Sequence, residues 1–222
     1  SYCIEGSADE VYMYYSGWNQ RLTIPYHNSM GLAVSKDFGS SFKRAYLGPI
    51  MDRTKDEPYL AVTPSVIKNG DDWKMWYVSG LSWKEIDGKY EPIYVIKYAE
   101  SKNGVDWERF PEICIKQNYD EEAFSHPNVI FSEGKYHMWY CYRGSRDYRN
   151  GNNSYRMGYS VSTDGKNWKR NDKESIIDTS IEGWDSLMIC YPYIFEVDGV
   201  RYMIYNGNGF GQSGFGLAKW EK

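Results

Sequence analysis

KMWYVSG at residues 74–80 decides how this chain is read, because variants of it recur as YMYYSG (12–17), HMWYCYRG (137–144) and YMIYNG (202–207). Their closing glycines, Gly17, Gly80, Gly144 and Gly207, are spaced by 63, 64 and 63 residues. Self-similarity at a fixed period marks a repeat architecture built from one supersecondary unit. A second element follows the first three runs: GLAVSKDFGSSF (31–42), KYAESKNGVDW (97–107) and GYSVSTDGKNW (158–168), with FGLAKWEK as a shortened fourth copy. Upstream of each aromatic run lies another strand-like stretch: SYCIEG, TPSVIKNG, HPNVIFSEG and YPYIFEVDG. Apolar residues alternate at period two or run continuously between NG, DG and FG turns, a pattern of strands rather than helices.

Four consecutive antiparallel strands per repeat are the signature of a propeller blade, whose faces are buried only by stacking on neighbouring blades. We therefore read the chain as all-β, a single β-propeller domain with four-stranded blades, about four of them present. The repeats run approximately over 1–63, 64–126, 127–191 and 192–222. A generic β-sandwich is the competing architecture. The 22 Tyr, 9 Trp and 8 Phe, 18% of the chain, suit the wedge between twisted sheets. The chain opens on the first strand of one repeat and closes on the third of another. The expectation is a four-bladed ring with a short last blade, or a ring with an upstream blade lacking.

Composition narrows the partners. The 222 residues carry 41% hydrophobic and 25% charged side chains, enough for a substantial core. The net charge is −4 and the 26 basic residues are scattered, so nucleic acid is not an expected partner. No apolar run reaches membrane-spanning length and Ser1–Glu10 resembles no secretion signal, which points to a cytoplasmic protein. Cys3, Cys114, Cys141 and Cys190 have neither CxxC nor disulfide-type spacing and read as reduced thiols. No GxGxxG, GxxxxGKS, GxSxG or HExxH occurs, against nucleotide binding, serine hydrolysis and zinc proteolysis. No cofactor is expected, with a channel-bound metal as the alternative, and the oligomeric state is left open.

In a propeller the first strand of each blade lines the axis, and the start of that strand faces one mouth of the channel. Aligning the repeats on Pro64, Pro127 and Pro192, with Ser1 in the equivalent place, puts Thr63, His126 and Tyr191 just before the prolines and Glu57, Asp120 and Asp185 seven residues before them. Converging carboxyl groups suit glycoside chemistry, in which one protonates the leaving oxygen and another activates water or attacks the sugar. The alternative is a set of solvated loop acids. Sugars present hydroxyl edges and apolar faces, which makes Trp18, Asn19, Gln20, Tyr59, Arg143, Trp184, Asn206 and Asn208 candidates for binding beside Thr63, His126 and Tyr191. SKDFGSSF (35–42) fits the S-x-D-x-G-x-x-F/W Asp box, a structural hairpin cap, and SKNGVDW and STDGKNW are shorter counterparts. A six-bladed sialidase reading is weaker, because the short boxes depart from its pattern and no arginine triad can be traced.

YYSGWNQ, EPYLAVTPSVI, WKMWYVSG, IKYAESKNGVDW, YHMWYCYRGS, GWDSLMICYPYIF and YMIYNGNGFG together resemble the five-bladed propeller proteins related to glycoside hydrolase families 32, 43, 62 and 68. Within that group the likeness is greatest to glycosidase-like proteins of bacterial surface-polysaccharide gene sets. The resemblance implies a glycan or sugar-containing ligand, Glu57 as general acid in an E-G-P-like segment that here lacks the Gly, and Asp185 as partner or tuning carboxylate. It also implies that a first blade, with the base or nucleophile Asp, precedes Ser1. The competing function is a non-catalytic module that binds a saccharide or protein at the same channel mouth.

Overall fold

A computed structural model describes the backbone of residues 2–7 and 10–221 and the side chains of residues 10–221. The strands form four antiparallel sheets in chain order. The first blade holds β1 (Tyr2–Ser7), β2 (Glu10–Gln20), β3 (Tyr26–Ser35) and β4 (Lys43–Arg44). The second holds β5 (Ala61–Asn69), β6 (Asp72–Ile86), β7 (Lys89–Ser101) and β8 (Glu108–Ile113). The third holds β9 (Ala123–Ser132), β10 (Lys135–Arg143), β11 (Arg156–Ser162) and β12 (Lys169–Arg170), and the fourth β13 (Cys190–Val197), β14 (Val200–Asn206) and β15 (Phe215–Lys219). The inner strands β1, β5, β9 and β13 lie side by side in that order, which is the propeller arrangement. Ser1 and the side chain of Cys3 lie outside the described residues. Among those described, no helix is long and apolar enough to cross a membrane.

Each interface between consecutive blades has its own apolar core. Tyr14, Met30 and Leu32 of the first blade pack on Val66, Trp73, Met75 and Tyr77 of the second. Trp76, Ile96 and Tyr98 pack on Phe124, Val129 and Tyr140, and Trp139, Met157 and Tyr159 pack on Ile194 and Met203. The repeated WY pair thus splits its work: in the second blade Tyr77 faces the blade before and Trp76 the blade after. Period-two alternation dictates this, since adjacent residues of a strand point to opposite faces.

Hydrogen bonds hold the same interfaces in register. Ser65 Oγ on β5 accepts from Val129 N–H on β9 at 2.9 Å, and Asn128 Oδ1 on β9 accepts from Ile194 N–H on β13 at 3.1 Å. Farther out, the Asp-box hairpin of one blade takes a bond from the blade before it. Tyr14 Oη donates to Gly104 O at 2.8 Å and Trp76 Nε1 to Gly165 O at 2.7 Å. Both glycines have left-handed φ, +71° and +77°, and a Cβ at Gly104 would lie 2.7 Å from Tyr14 Oη. Inside the boxes Asp37 and Asp164 accept from turn amides and hydroxyls, and these bonds hold both carboxyls below their ordinary range. Trp139, the third-blade counterpart of Trp76, has no acceptor for Nε1 among the described residues. Cys114, Cys141 and Cys190 are free and buried.

Trp76→Phe should therefore destabilise the protein by about 1 kcal/mol more than Trp139→Phe, because only the first change removes a hydrogen bond, Gly165 O keeping its second donor, Trp168 Nε1, at 2.9 Å. Urea unfolding of the two variants measures the difference; equal midpoints would show that the bond contributes nothing.

Candidate functional site

The axial ends of the inner strands are shaped by three proline-directed bulges. In β5 the pair Thr63–Pro64 stands opposite the single residue Tyr77, in β9 His126–Pro127 opposite Tyr140, and in β13 Tyr191–Pro192 opposite Tyr205, so each ladder breaks there. Thr63, His126 and Tyr191 have φ of +54°, +51° and +59°. A left-handed backbone is uncommon for any residue with a Cβ and an outlier for β-branched Thr, costing roughly 1–3 kcal/mol at each position. The bulges re-aim these side chains out of the sheet. Neighbouring groups hold the displaced backbone: Thr63 N–H donates to Ser16 Oγ at 3.1 Å, and Tyr191 N–H to Cys141 Sγ at 3.0 Å.

The three side chains open onto a cavity of about 570 Å³. Aromatic groups dominate its wall: Trp18, Tyr26, Tyr94, Tyr148, Tyr155, Tyr191 and Phe210. Ser16, Asn28, Thr63, Ser125, His126 and Arg149 supply polar groups. No Asp or Glu among the described residues lines it. Asn28 is 2% exposed, and its Oδ1 has no protein partner among the described residues. A buried carbonyl oxygen of this kind is ordinarily hydrogen-bonded, so it calls for a donor beyond the described residues. His126 sits 5.1 Å from the Tyr191 ring, and burial pushes its pKa down to about 4, which makes it a neutral imidazole at pH 7. Openings of about 740 and 760 Å³ lie elsewhere, one lined by Tyr98, Phe110, 112–116, Asn118 and 166–170 and one by 20–24, His27 and Arg53. The axial cavity draws residues from all four blades and their loops.

The expected catalytic carboxylates sit elsewhere. Glu57 is a buried anchor of the second blade: Arg109 Nη1 lies 2.7 Å and Lys97 Nζ 3.0 Å from its oxygens, and Tyr77 Oη donates to it at 2.8 Å. Burial alone would raise its pKa, but the bonds from Arg109, Lys97 and Tyr77 outweigh that and hold the carboxyl below its ordinary range. A general acid needs the opposite shift. Asp185 is buried and accepts from Tyr205 Oη at 3.2 Å, the same Tyr position of the fourth blade. Asp120 is exposed, and the buried acid of that segment is Glu122, two residues on, paired with Arg170 at 2.8 Å. The stretch from buried acid to proline is thus two residues shorter in the third blade, which a fixed seven-residue offset misses. Among the described residues no three His, Cys, Asp or Glu side chains are grouped to hold a metal ion.

Of the sequence-predicted binding residues, the structure gathers Trp18, Thr63, His126 and Tyr191 in the axial wall, with Arg143 buried directly behind it. Asn19 and Gln20 continue β2 past the cavity and are exposed. Tyr59 covers Gly80, where an added Cβ would lie 2.8 Å from it. Trp184 stacks on Tyr205 at 5.6 Å and covers Gly207 and Gly216. Asn206 Nδ2 donates to Phe210 O at 3.1 Å, and Asn208 Oδ1 accepts from Leu187 and Met188 N–H, so both amides hold turns. Residues the sequence reading missed are Tyr26, Asn28, Tyr94, Tyr148, Arg149 and Tyr155. The Arg- and Tyr-rich stretch RGSRDYRNGNNSY (143–155) was the available signal, since three of them lie in it.

Comparison with known proteins supplies relatives and a shared fold. No family model matches the chain. The uncharacterised protein Rv1502 of Mycobacterium tuberculosis is 38% identical over 216 residues, 97% of this chain and 69% of the relative. The solved BT0996 RGII complex superposes with a TM-score of 0.76 at 21% identity, over 99% of this chain and 65% of that one. A thermostable family-43 glycoside hydrolase gives 0.73 at 20% identity, over 99% and 70%. The chain thus spans about two thirds of the length of the proteins it matches, and it shares the fold of glycoside hydrolase propellers.

Glu57→Gln should cost about 3 kcal/mol, because Lys97 and Arg109 then lack their counter-charge. The folded carboxyl titrates below the unfolded one, so its contribution is complete above the ordinary carboxylate range and is lost as pH falls through the folded pKa. Urea midpoints from pH 7 to pH 3 should fall more steeply for wild type than for the variant; parallel curves would contradict the ion-pair role. Thr63→Gly should keep stability within about 1 kcal/mol of wild type, the relieved strain offsetting the entropic cost of glycine. A loss well beyond that would show that the bulge is not strained.

Proposed function

Because the chain belongs to the family of the mycobacterial protein Rv1502, itself uncharacterised, we propose its function from the geometry of the axial cavity: it binds a saccharide there. The observation that carries this reading is the cavity wall. Seven aromatic side chains offer apolar faces to pyranose or furanose rings, and Asn28, Thr63, Ser125 and neutral His126 offer donors and acceptors to hydroxyl groups. The fold shared with glycoside hydrolases, the BT0996 RGII complex among the solved neighbours, supports the same ligand class.

Cleavage by paired carboxylates of this chain has less support. Glu57 is an anchored anion, and Asp185 and Glu122 serve the same place in the next blades, each behind its own blade interface rather than across a shared sugar. Recognition therefore rests on aromatic stacking and neutral polar groups, and glycosidic chemistry by paired carboxylates requires acids other than these.

Calorimetric titration against a panel of mono- and disaccharides should give binding that Trp18→Ala weakens about tenfold, a loss of ~1.4 kcal/mol. Tyr46→Ala, which removes an exposed aromatic on the outer edge of the first blade, should leave it unchanged. Equal effects of the two variants would place the site off the axis. Release of reducing sugar from aryl glycosides that Glu57→Gln abolishes, with the variant folded, would restore Glu57 as the acid.

A further inference from the structure

One wall of the axial cavity is built around a cation to which no carboxylate of the described residues is bonded. Arg143 is 1% exposed. Its Nη1 donates to Gly144 O at 2.9 Å and Ser145 Oγ at 3.0 Å, and its Nη2 to Pro92 O at 2.9 Å. Its Nε–H is shared between Tyr94 Oη at 3.2 Å and Tyr155 Oη at 3.3 Å. Every one of these acceptors is neutral. The guanidinium also lies 3.8 Å from the centre of the Tyr148 ring, with the guanidinium of Arg149 4.3 Å from the same ring. The acid bonded to this cluster is Glu91, which takes Arg149 at 2.6 and 3.0 Å and the Tyr148 hydroxyl at 2.8 Å. Among the described residues, two guanidinium charges therefore face one bonded carboxylate, and the excess charge is positive.

The hydroxyl protons of this wall outnumber their acceptors. Tyr94 Oη and Tyr155 Oη are 2.7 Å apart, so one of their two protons is spent between them. Both oxygens also accept from Arg143, which leaves the second proton without an acceptor among the described residues. When Tyr94 donates to Tyr155 that proton is the Tyr155 one, and burial, which raises the Tyr155 pKa well above its ordinary value, keeps it in place at neutral pH. Tyr94, Tyr148, Arg149 and Tyr155 all line the cavity. This wall thus presents a hydrogen-bond donor backed by uncompensated positive charge, in a cavity whose described lining holds no acid.

We infer that the axial cavity takes a saccharide bearing an anionic group, a carboxylate or a phosphate, seated against the Tyr94–Tyr155 pair and Arg149. Arg143 acts as a positioning residue: it fixes the two phenols and supplies field without touching the ligand. Glu91 moderates the charge and holds Arg149 over the Tyr148 ring. The inference rests on the saccharide reading of the cavity and adds the charge of the ligand to it.

Calorimetric titration of the whole chain with D-glucuronic acid, α-D-glucose 1-phosphate, D-glucose and inorganic phosphate at low salt tests it. The expected result is at least tenfold tighter binding of one charged sugar than of glucose, with the carboxylate and phosphate arms deciding which group is preferred. Arg149→Gln should shrink that ratio below threefold, and Glu91→Gln, which removes the opposing charge, should widen it. The two variants move in opposite directions, so a folding defect in either does not imitate the result. Equal affinity for glucose and both charged sugars would overturn the anionic inference and leave the saccharide reading standing. Inorganic phosphate binding as tightly as the sugar phosphate would overturn it in favour of a bare anion site. Failure of all four to bind would overturn both.

Discussion

An inner propeller strand is hydrogen-bonded along one edge only, and its other edge meets the axis, where its amides need partners that no neighbouring strand supplies. Much of this structure answers that constraint. Side chains of the preceding blade satisfy the free edge, as Ser65 does for Val129 and Asn128 for Ile194. Near the start of these strands, bulges at Thr63–Pro64, His126–Pro127 and Tyr191–Pro192 interrupt the ladder, which is paired again on either side. The proline removes one amide donor, and the strained residue before it turns its side chain toward the axis. The cavity is the space those bulges leave.

The same constraint explains why the acids do not meet. The residue opposite each bulge is a Tyr that stays out of the cavity lining and is packed between blades, where its hydroxyl needs an acceptor. Glu57 and Asp185 provide it for Tyr77 and Tyr205, and Asp172 at 2.6 Å does so for Tyr140. In the second and third blades cations complete the cluster, Lys97 and Arg109 on Glu57 and Arg170 on Glu122 and Asp172. These carboxylates are repeated because the blade interface repeats. Their regular spacing in the sequence reflects architecture as readily as chemistry.

How much could be read in advance follows from the range of each interaction. The blades were legible because strand alternation and Gly turns are local, and the aromatic runs, with their glycines 63 or 64 residues apart, repeat them. Thr63, His126 and Tyr191 were legible because each precedes a proline at the start of an inner strand. Tyr94 and Arg143 were beyond such reading as a pair: they lie 49 residues apart and meet only because β6 and β7 overrun their sheet and lean on the next blade's loop. Trp184 shows how a local signal leaves out packing. An exposed-looking Trp beside an acid suggests a sugar platform, whereas two distant glycines, Gly207 and Gly216, make room for it as packing.

The central claim is that function lies at the axis, on the bulged strands, and not at the anchored acids. A crystal structure of the protein with a bound saccharide tests it most directly. Sugar density is expected between Trp18, His126 and Tyr191, with φ of Thr63, His126 and Tyr191 still positive. Density seated against Glu57 or Trp184, with the axial cavity holding only water, would contradict it.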